Sequence, residues 1–197
     1  MSVEINPKEL HGEWDQGFAL DVHTTRSTFK GYGPSGRPDF DTTRSALGEL
    51  VYRLKYRFFD PNVRDSIVET VIEFIAKRQI VVDIIVPMPP SNTKRTKQPV
   101  IEVAREIGKR VEIPVCEVCV QKVKETPQLK DVRDYSEKKK ILADAFRINA
   151  QETKDKRIML FDDLYDTGAT MNIVGHELKA TGGARDVFVL ALTWARN

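Results

Sequence analysis

The segment Ile158-Met159-Leu160-Phe161-Asp162-Asp163-Leu164-Tyr165-Asp166-Thr167-Gly168-Ala169-Thr170 constrains this chain more than any other stretch. Apolar residues run into two adjacent carboxylates, then into a turn rich in hydrogen-bond donors, then into a helical pattern. A short apolar run bounded by turn residues predicts a buried strand of a parallel sheet. Thr167, Gly168 and Thr170 can aim backbone N–H groups and hydroxyls at one anion. The helix expected from Thr170 to about Ala180 points its positive end at the same place. A phosphate and a pair of vicinal hydroxyls, one sugar apart, would satisfy both halves. An acidic strand end with no ligand leaves the paired carboxylates unexplained, because open α/β sheets place ligands at the carboxyl ends of their strands.

The rest of the chain supplies the matching elements. Trp14 to Phe29 mixes apolar and β-branched residues with polar ones and predicts one or two antiparallel strands. Gly31, Gly33, Pro34, Gly36 and Pro38 then break regular structure. Asp41 or Thr42 is the expected cap of a helix to about Arg57, with Leu47, Leu50, Val51 and Leu54 on one face. Asp60-Pro61 reads as cap and first position of a second helix, with Ile67, Val71, Ile72 and Ile75 as its stripe. Strands are expected at Val81–Val86, Val115–Val120, Ala145–Ile148 and Val187–Leu192, and a helix from Gln98 to about Arg110. Strands alternating with helices imply an α/β fold with a mainly parallel, covered sheet.

Composition excludes several classes. The 197 residues suffice for one domain with a sizeable core, and a net charge of +2 gives no basic excess for a nucleic-acid backbone. No run of 18 apolar residues occurs, and Met1 to Ile5 carries neither a basic start nor an apolar targeting core. The expectation is a cytoplasmic protein that is not membrane-bound. Cys116 and Cys119 form a lone Cys-x-x-Cys, and His11, His23 and His176 lie at no metal-binding spacing. On a strand, an offset of three sends the two thiols to opposite faces, so two packed structural cysteines are expected over metal or redox chemistry.

The segment 158–170 resembles the signature of type I phosphoribosyltransferases over thirteen residues without a gap. The resemblance implies a type I phosphoribosyltransferase fold: a mainly parallel twisted sheet covered by helices on both faces. It also implies a hood-like segment at residues 1–40 and a core domain at 41–197. Its substrate would be phosphoribosyl pyrophosphate (PRPP) with Mg²⁺. Asp166, Thr167, Gly168, Ala169 and Thr170 would hold the 5-phosphate. Asp162 and Asp163 would take the ribose hydroxyls and help hold the metal through water. Pro87, Met88, Pro89, Pro90, Ser91 and Lys94 would form the pyrophosphate loop, where prolines fix the backbone and Lys94, Arg95 and Lys97 add charge. The polar stretch 121–140, rich in Lys and Arg, corresponds to a lid that excludes water from the reacting sugar. Any single lysine there reads equally well as a solvated side chain.

Within that superfamily the chain is most similar to ComF-like phosphoribosyltransferases, on Gly48 to Tyr56, Ile85-Val86-Pro87-Met88-Pro89, Thr126-Pro127-Gln128 and Ala145-Phe146. Two departures stand out. No cysteine-rich segment opens the sequence, and Thr96-Lys97-Gln98-Pro99 stands where the family has an Arg-Gly-Phe-Asn-Gln-type run. Asp166 directly before Thr167-Gly168 resembles purine salvage enzymes, whose aspartate exchanges a proton with the purine ring. A capping aspartate is an equally good reading of that residue. Asp162, Asp163 and Asp166 are thus the candidate catalytic residues, and Phe18, Phe29 and Tyr32 are candidates to stack on a base, or are core.

Three functions follow. The first is an active transferase from PRPP to a nitrogenous acceptor, with a purine base favoured, working as a homodimer by family resemblance. The second is a silent PRPP- or nucleotide-binding regulator. The third, a ComF-like competence or DNA-processing partner, is disfavoured by the lack of basic excess.

Overall fold

The computed structural model describes residues 1–57, 60–90, 97–124, 137, 141–142 and 144–196. In chain order its strands are β1 (Lys8–Glu9), β2 (Gln16–Val22), β3 (Thr24–Tyr32), β4 (Pro38–Arg44), β5 (Ile84–Pro87), β6 (Val120–Lys122), β7 (Phe146–Ile148), β8 (Arg157–Tyr165) and β9 (Asp186–Trp194). The helices are α1 (Ala46–Tyr56), α2 (Pro61–Arg78), α3 (Pro99–Val111), the single turn α4 (Ala150–Thr153) and α5 (Ala169–Ala180). The fold is mixed α/β with a central, mostly parallel sheet flanked by helices on both faces.

That sheet has the order β1-β2-β9-β8-β5. β2, β9, β8 and β5 run parallel, and only the two-residue β1 pairs antiparallel. Alternation along β8 sorts its side chains. Met159 and Phe161 enter a cluster with α1, α2 and α3, whereas Ile158 and Leu160 enter a second cluster with α5. All four are fully buried, and each such side chain contributes about 1.5–3 kcal/mol of burial.

The helices start where, and bury the faces that, local sequence chemistry predicts, with one exception. Asp60 caps α2 through its carboxylate and Pro61 takes the first turn. Leu47, Val51 and Leu54 of α1 are buried, as are Ile67, Val71 and Ile75 of α2. The expected cap of α1 is corrected. Asp41 and Thr42 belong to β4, and Ser45 is the cap, its hydroxyl accepting from Gly48 N–H at 3.0 Å and donating to the Val22 carbonyl at 2.6 Å.

The N-terminal segment divides between two sheets. Gln16–Val22 runs parallel to β9 within the central sheet, not antiparallel as expected, while β3 and β4 form a separate antiparallel hairpin. The breaker-rich residues 33–37 are its turn. The stretch 115–120 is also corrected. Val115 makes an isolated parallel bridge to Ile85, the chain turns, and β6 begins only at Val120. The turn brings Cys116 and Cys119 together as a disulfide, so the opposite-face expectation for the two thiols fails with the strand it assumed.

Candidate functional site

Because β2, β9, β8 and β5 are parallel, their carboxyl ends share one edge, and three of the candidate elements leave from it. β8 leads into the turn before α5, β5 into residues 88–90, and β2 into the hairpin. Met88 N–H donates to the Phe161 carbonyl at 2.8 Å, which holds the start of the proline loop beside the acids. A cavity of about 260 Å³ opens there, lined by Asp162, Asp163, Leu164, Thr170, Met88, Pro89 and Pro90, by Gln98 to Ile101, and by Lys55. The structure thus brings together the acid pair, the proline loop and the first turn of α5. Ser91 and Lys94, with Arg95 and most of the expected lid (125–136 and 138–140), lie outside the described residues. Gln121 and Lys122, read as part of that lid, are paired in β6 with β7.

The turn between β8 and α5 is built around Gly168. Gly168 is the N-cap of α5 at φ +76°, a left-handed conformation that glycine adopts without strain, and a Cβ there would overlap the Tyr165 hydroxyl. This helix takes no side-chain hydrogen bond from its N-cap residue, Gly168. Its first-turn N–H groups and the positive end of its dipole are therefore directed at the cavity edge where Thr170 lies. Asn172 steadies the turn, donating to the Gly168 carbonyl through its backbone (2.8 Å) and its amide (3.1 Å) while its oxygen accepts from Glu13 N–H. Ala169 has its side chain in a small apolar cluster with Leu142 and Ala145, so only its backbone is suited to a ligand.

The acids differ in surroundings. Asp162 Oδ1 accepts from the Asp163 N–H at 2.8 Å. Burial first, and the Asp163 carboxylate second, push the Asp162 carboxyl up to about 7, against the Asp163 N–H and Lys55. Asp163 is tied down on both sides. Its carboxylate pairs with Lys55 Nζ at 2.8 Å, and its carbonyl accepts from the Thr193 hydroxyl at 2.9 Å. Since that hydroxyl gives its proton to Asp163, the 3.0 Å contact with His23 Nδ1 has the imidazole N–H as donor. Burial, then Arg44 and Lys55, lower the His23 pKa, which fits a neutral ring in that role.

Lys55, which lines the same cavity, was not among the candidates read from sequence. Burial disfavours its ammonium, but Asp163 by charge and hydrogen bond, and Asp162 behind it, raise its pKa. Its position follows from how α1 is anchored. Ser45 fastens the helix start to the end of β2, and a side chain at Gly48 would overlap the His23 carbonyl. Lys55 falls within the Gly48 to Tyr56 run that carries the ComF-like resemblance, but nothing there marks it out from the other residues beyond being a cation in the last turn of an amphipathic helix, which describes many surface lysines.

The stacking candidates separate. For Phe18 the core reading holds, since it is buried against Phe74 and Phe188. Phe29 and Tyr32 are exposed on the hairpin, where Phe29 meets both Tyr32 and Phe40 at 5.5 Å between ring centres.

Among the described residues no group of three or more His, Cys, Asp or Glu forms a metal site, and no helix is long and apolar enough to cross a membrane. No protein-family model matches the chain, and no curated protein matches it. Solved structures are similar in fold. One is adenine phosphoribosyltransferase from Saccharomyces cerevisiae, complexed with an imino-altritol bisphosphate and adenine (14% identity, 84% of this chain and 83% of that chain, TM-score 0.47). Another is glutamine PRPP amidotransferase from B. subtilis with ADP and GMP (16% identity, 81% of this chain, TM-score 0.47), of which 34% of the length is covered. A third is adenine phosphoribosyltransferase from Trypanosoma brucei with AMP, pyrophosphate and ribose-5-phosphate (11% identity, 98% and 87%, TM-score 0.45). At these scores the likenesses assign no activity or substrate to this chain.

Proposed function

We propose that the protein is a phosphoribosyltransferase that moves the 5-phosphoribosyl group from PRPP to a nitrogenous acceptor and releases pyrophosphate. A nucleobase is the favoured acceptor, and a purine among those. One observation carries the reading: adjacent carboxylates and the first turn of a helix that starts at a glycine border the same cavity at the carboxyl edge of a parallel sheet. The first turn of α5, with Thr167 and Thr170, binds the 5-phosphate. Asp162 and Asp163 accept hydrogen bonds from the ribose hydroxyls, and Thr193 and Lys55 fix the orientation of Asp163. Residues 87–91 and Lys94 receive the pyrophosphate.

The reaction breaks the bond from ribose C1 to the pyrophosphate oxygen, and pyrophosphate leaves with the electron pair. Positive charge builds on the sugar beside the acids, whose negative charge stabilises it. The acceptor nitrogen forms the new bond at C1 from the opposite face and gives its proton to Asp166. Mg²⁺ commonly takes one or two carboxylates and leaves its other positions to substrate oxygens and water, and Asp162 and Asp163 at the cavity supply such a pair. Asp162 and Asp163 would hold it through water, and when bound it would supply charge neutralisation for the pyrophosphate. A ComF-like placement, a homodimer and a cytoplasmic setting belong to the same proposal.

The test is pyrophosphate release from Mg-PRPP against a pool of purine and pyrimidine bases, with Asp162→Asn as control. Release that needs one base and vanishes in the variant supports the transferase and names its acceptor. PRPP binding by calorimetry without release from any base overturns turnover and leaves a binding regulator.

A further inference from the structure

The acid pair faces a cation of the protein's own, and its placement has consequences for the order in which the site fills. Lys55 Nζ lies 2.8 Å from Asp163 Oδ2, with the lysine side chain 22% exposed and the aspartate 12%. A lysine on an unanchored segment would swing away at little cost. This one is carried by a helix whose start is hydrogen-bonded to β2 and whose Gly48 packs directly on the His23 backbone. Burial and a fixed helix together keep the ammonium against the carboxylate. No third carboxylate, histidine or cysteine joins the pair among the described residues. The described residues alone therefore offer a divalent ion two carboxylates, one already neutralised by a contact ion pair.

We propose that Lys55 is a resident counter-cation that keeps a divalent ion out of the empty site, so that the metal enters only together with an anionic, pyrophosphate-bearing ligand. The inference rests on the function proposed above. A free Mg²⁺ or Mn²⁺ approaching Asp163 meets the Lys55 charge at close range, and like charges at such a distance oppose binding in a partly buried cavity. A pyrophosphorylated sugar reverses the balance. Its phosphate oxygens supply the missing ligands for the ion and give the Lys55 ammonium another anion to approach.

Mn²⁺ titrated into the ligand-free protein and followed by electron paramagnetic resonance is the test. The wild-type protein is expected to bind it weakly. Lys55→Met should bind roughly tenfold or more tightly. Lys55→Arg keeps the charge and should match wild type, and adding Asp163→Asn to Lys55→Met should abolish the gain. A wild-type affinity equal to that of Lys55→Met overturns the proposal, as does a gain that survives Asp163→Asn. Circular dichroism confirms that each variant is folded, and Lys55→Gln serves if Lys55→Met is not. PRPP binding is measured separately by calorimetry. Its absence in the wild type removes the transferase reading, whereas the Mn²⁺ comparison reports on Lys55 whether or not PRPP binds.

Discussion

Strand β8 carries an ion pair at each end, and the two are built to opposite plans. At the amino end, Arg157 holds Asp83 of the neighbouring β5 segment through Nε at 3.1 Å and Nη2 at 2.5 Å, and its backbone N–H adds a third contact at 2.8 Å. Both side chains are about a third exposed, at 31% and 29%, and Asp83 is held well below the usual carboxylate range by those Arg157 hydrogen bonds. At the carboxyl end, Lys55 makes one contact to Asp163, and Asp162 beside them is left with a raised pKa. The first pair is satisfied by the protein and clamps the register of β5 on β8. The second leaves a carboxyl group in an unfavourable setting next to a cavity. Such strain in charge placement is what a ligand site needs, since a fully satisfied cluster has nothing to offer a substrate.

The sharpest way to break this comparison is to remove the charges at the carboxyl end. Asp162→Asn combined with Asp163→Asn should lower pyrophosphate release by about 10³-fold or more while the protein remains folded. Retained turnover would deprive that end of its role. Asp166→Asn should cost about 10²–10⁴-fold in rate with PRPP affinity kept, as loss of a proton acceptor does. An equal loss of affinity instead would assign Asp166 to phosphate binding.

The pH dependence of stability separates the ends by sign. Asp162 has a folded pKa above its unfolded value, so its contribution is fully present below about pH 4. That contribution is lost as pH rises through about 7. In metal-free solution Asp162→Asn should therefore match wild type near pH 4 and exceed it by about 1–2 kcal/mol at pH 8, discounted for the part of Asp162 open to the cavity. Urea denaturation at the two pH values measures this, and a variant no more stable at pH 8 would contradict the assignment. Asp83 runs the other way. Its folded pKa is depressed, so its contribution is present above about pH 4 and lost as pH falls. Arg157→Ala is expected to have the smallest effect, a melting shift of no more than about 3 °C at neutral pH that shrinks in acid, with PRPP binding unchanged.

Much of the carboxyl end was legible in sequence because its signal is contiguous. The apolar run, the acids and the glycine turn sit within thirteen residues, and their order alone places a strand before a helix. The Asp60-Pro61 start of α2 is local in the same way. Phe18 was less legible, because an aromatic residue in an alternating segment faces either a ligand or a core according to which strand it joins. β2 joined β9, and Phe18 went to the core. The Cys116–Cys119 disulfide was missed for a related reason: the parity argument held for a strand, and the chain turns there.

By itself, then, the sequence determined which segments are strands and helices around the acids, and that a turn able to bind an anion follows them, since these depend on neighbours within a few residues. Only the tertiary structure decided what stands opposite. Lys55 meets Asp163, and His23 reaches Thr193 and through it the Asp163 backbone, because α1, β2 and β9 pack together at one edge of the sheet. A lone lysine or histidine carries no mark of its distant partner, and its chemistry is set by the burial and charge it finds there.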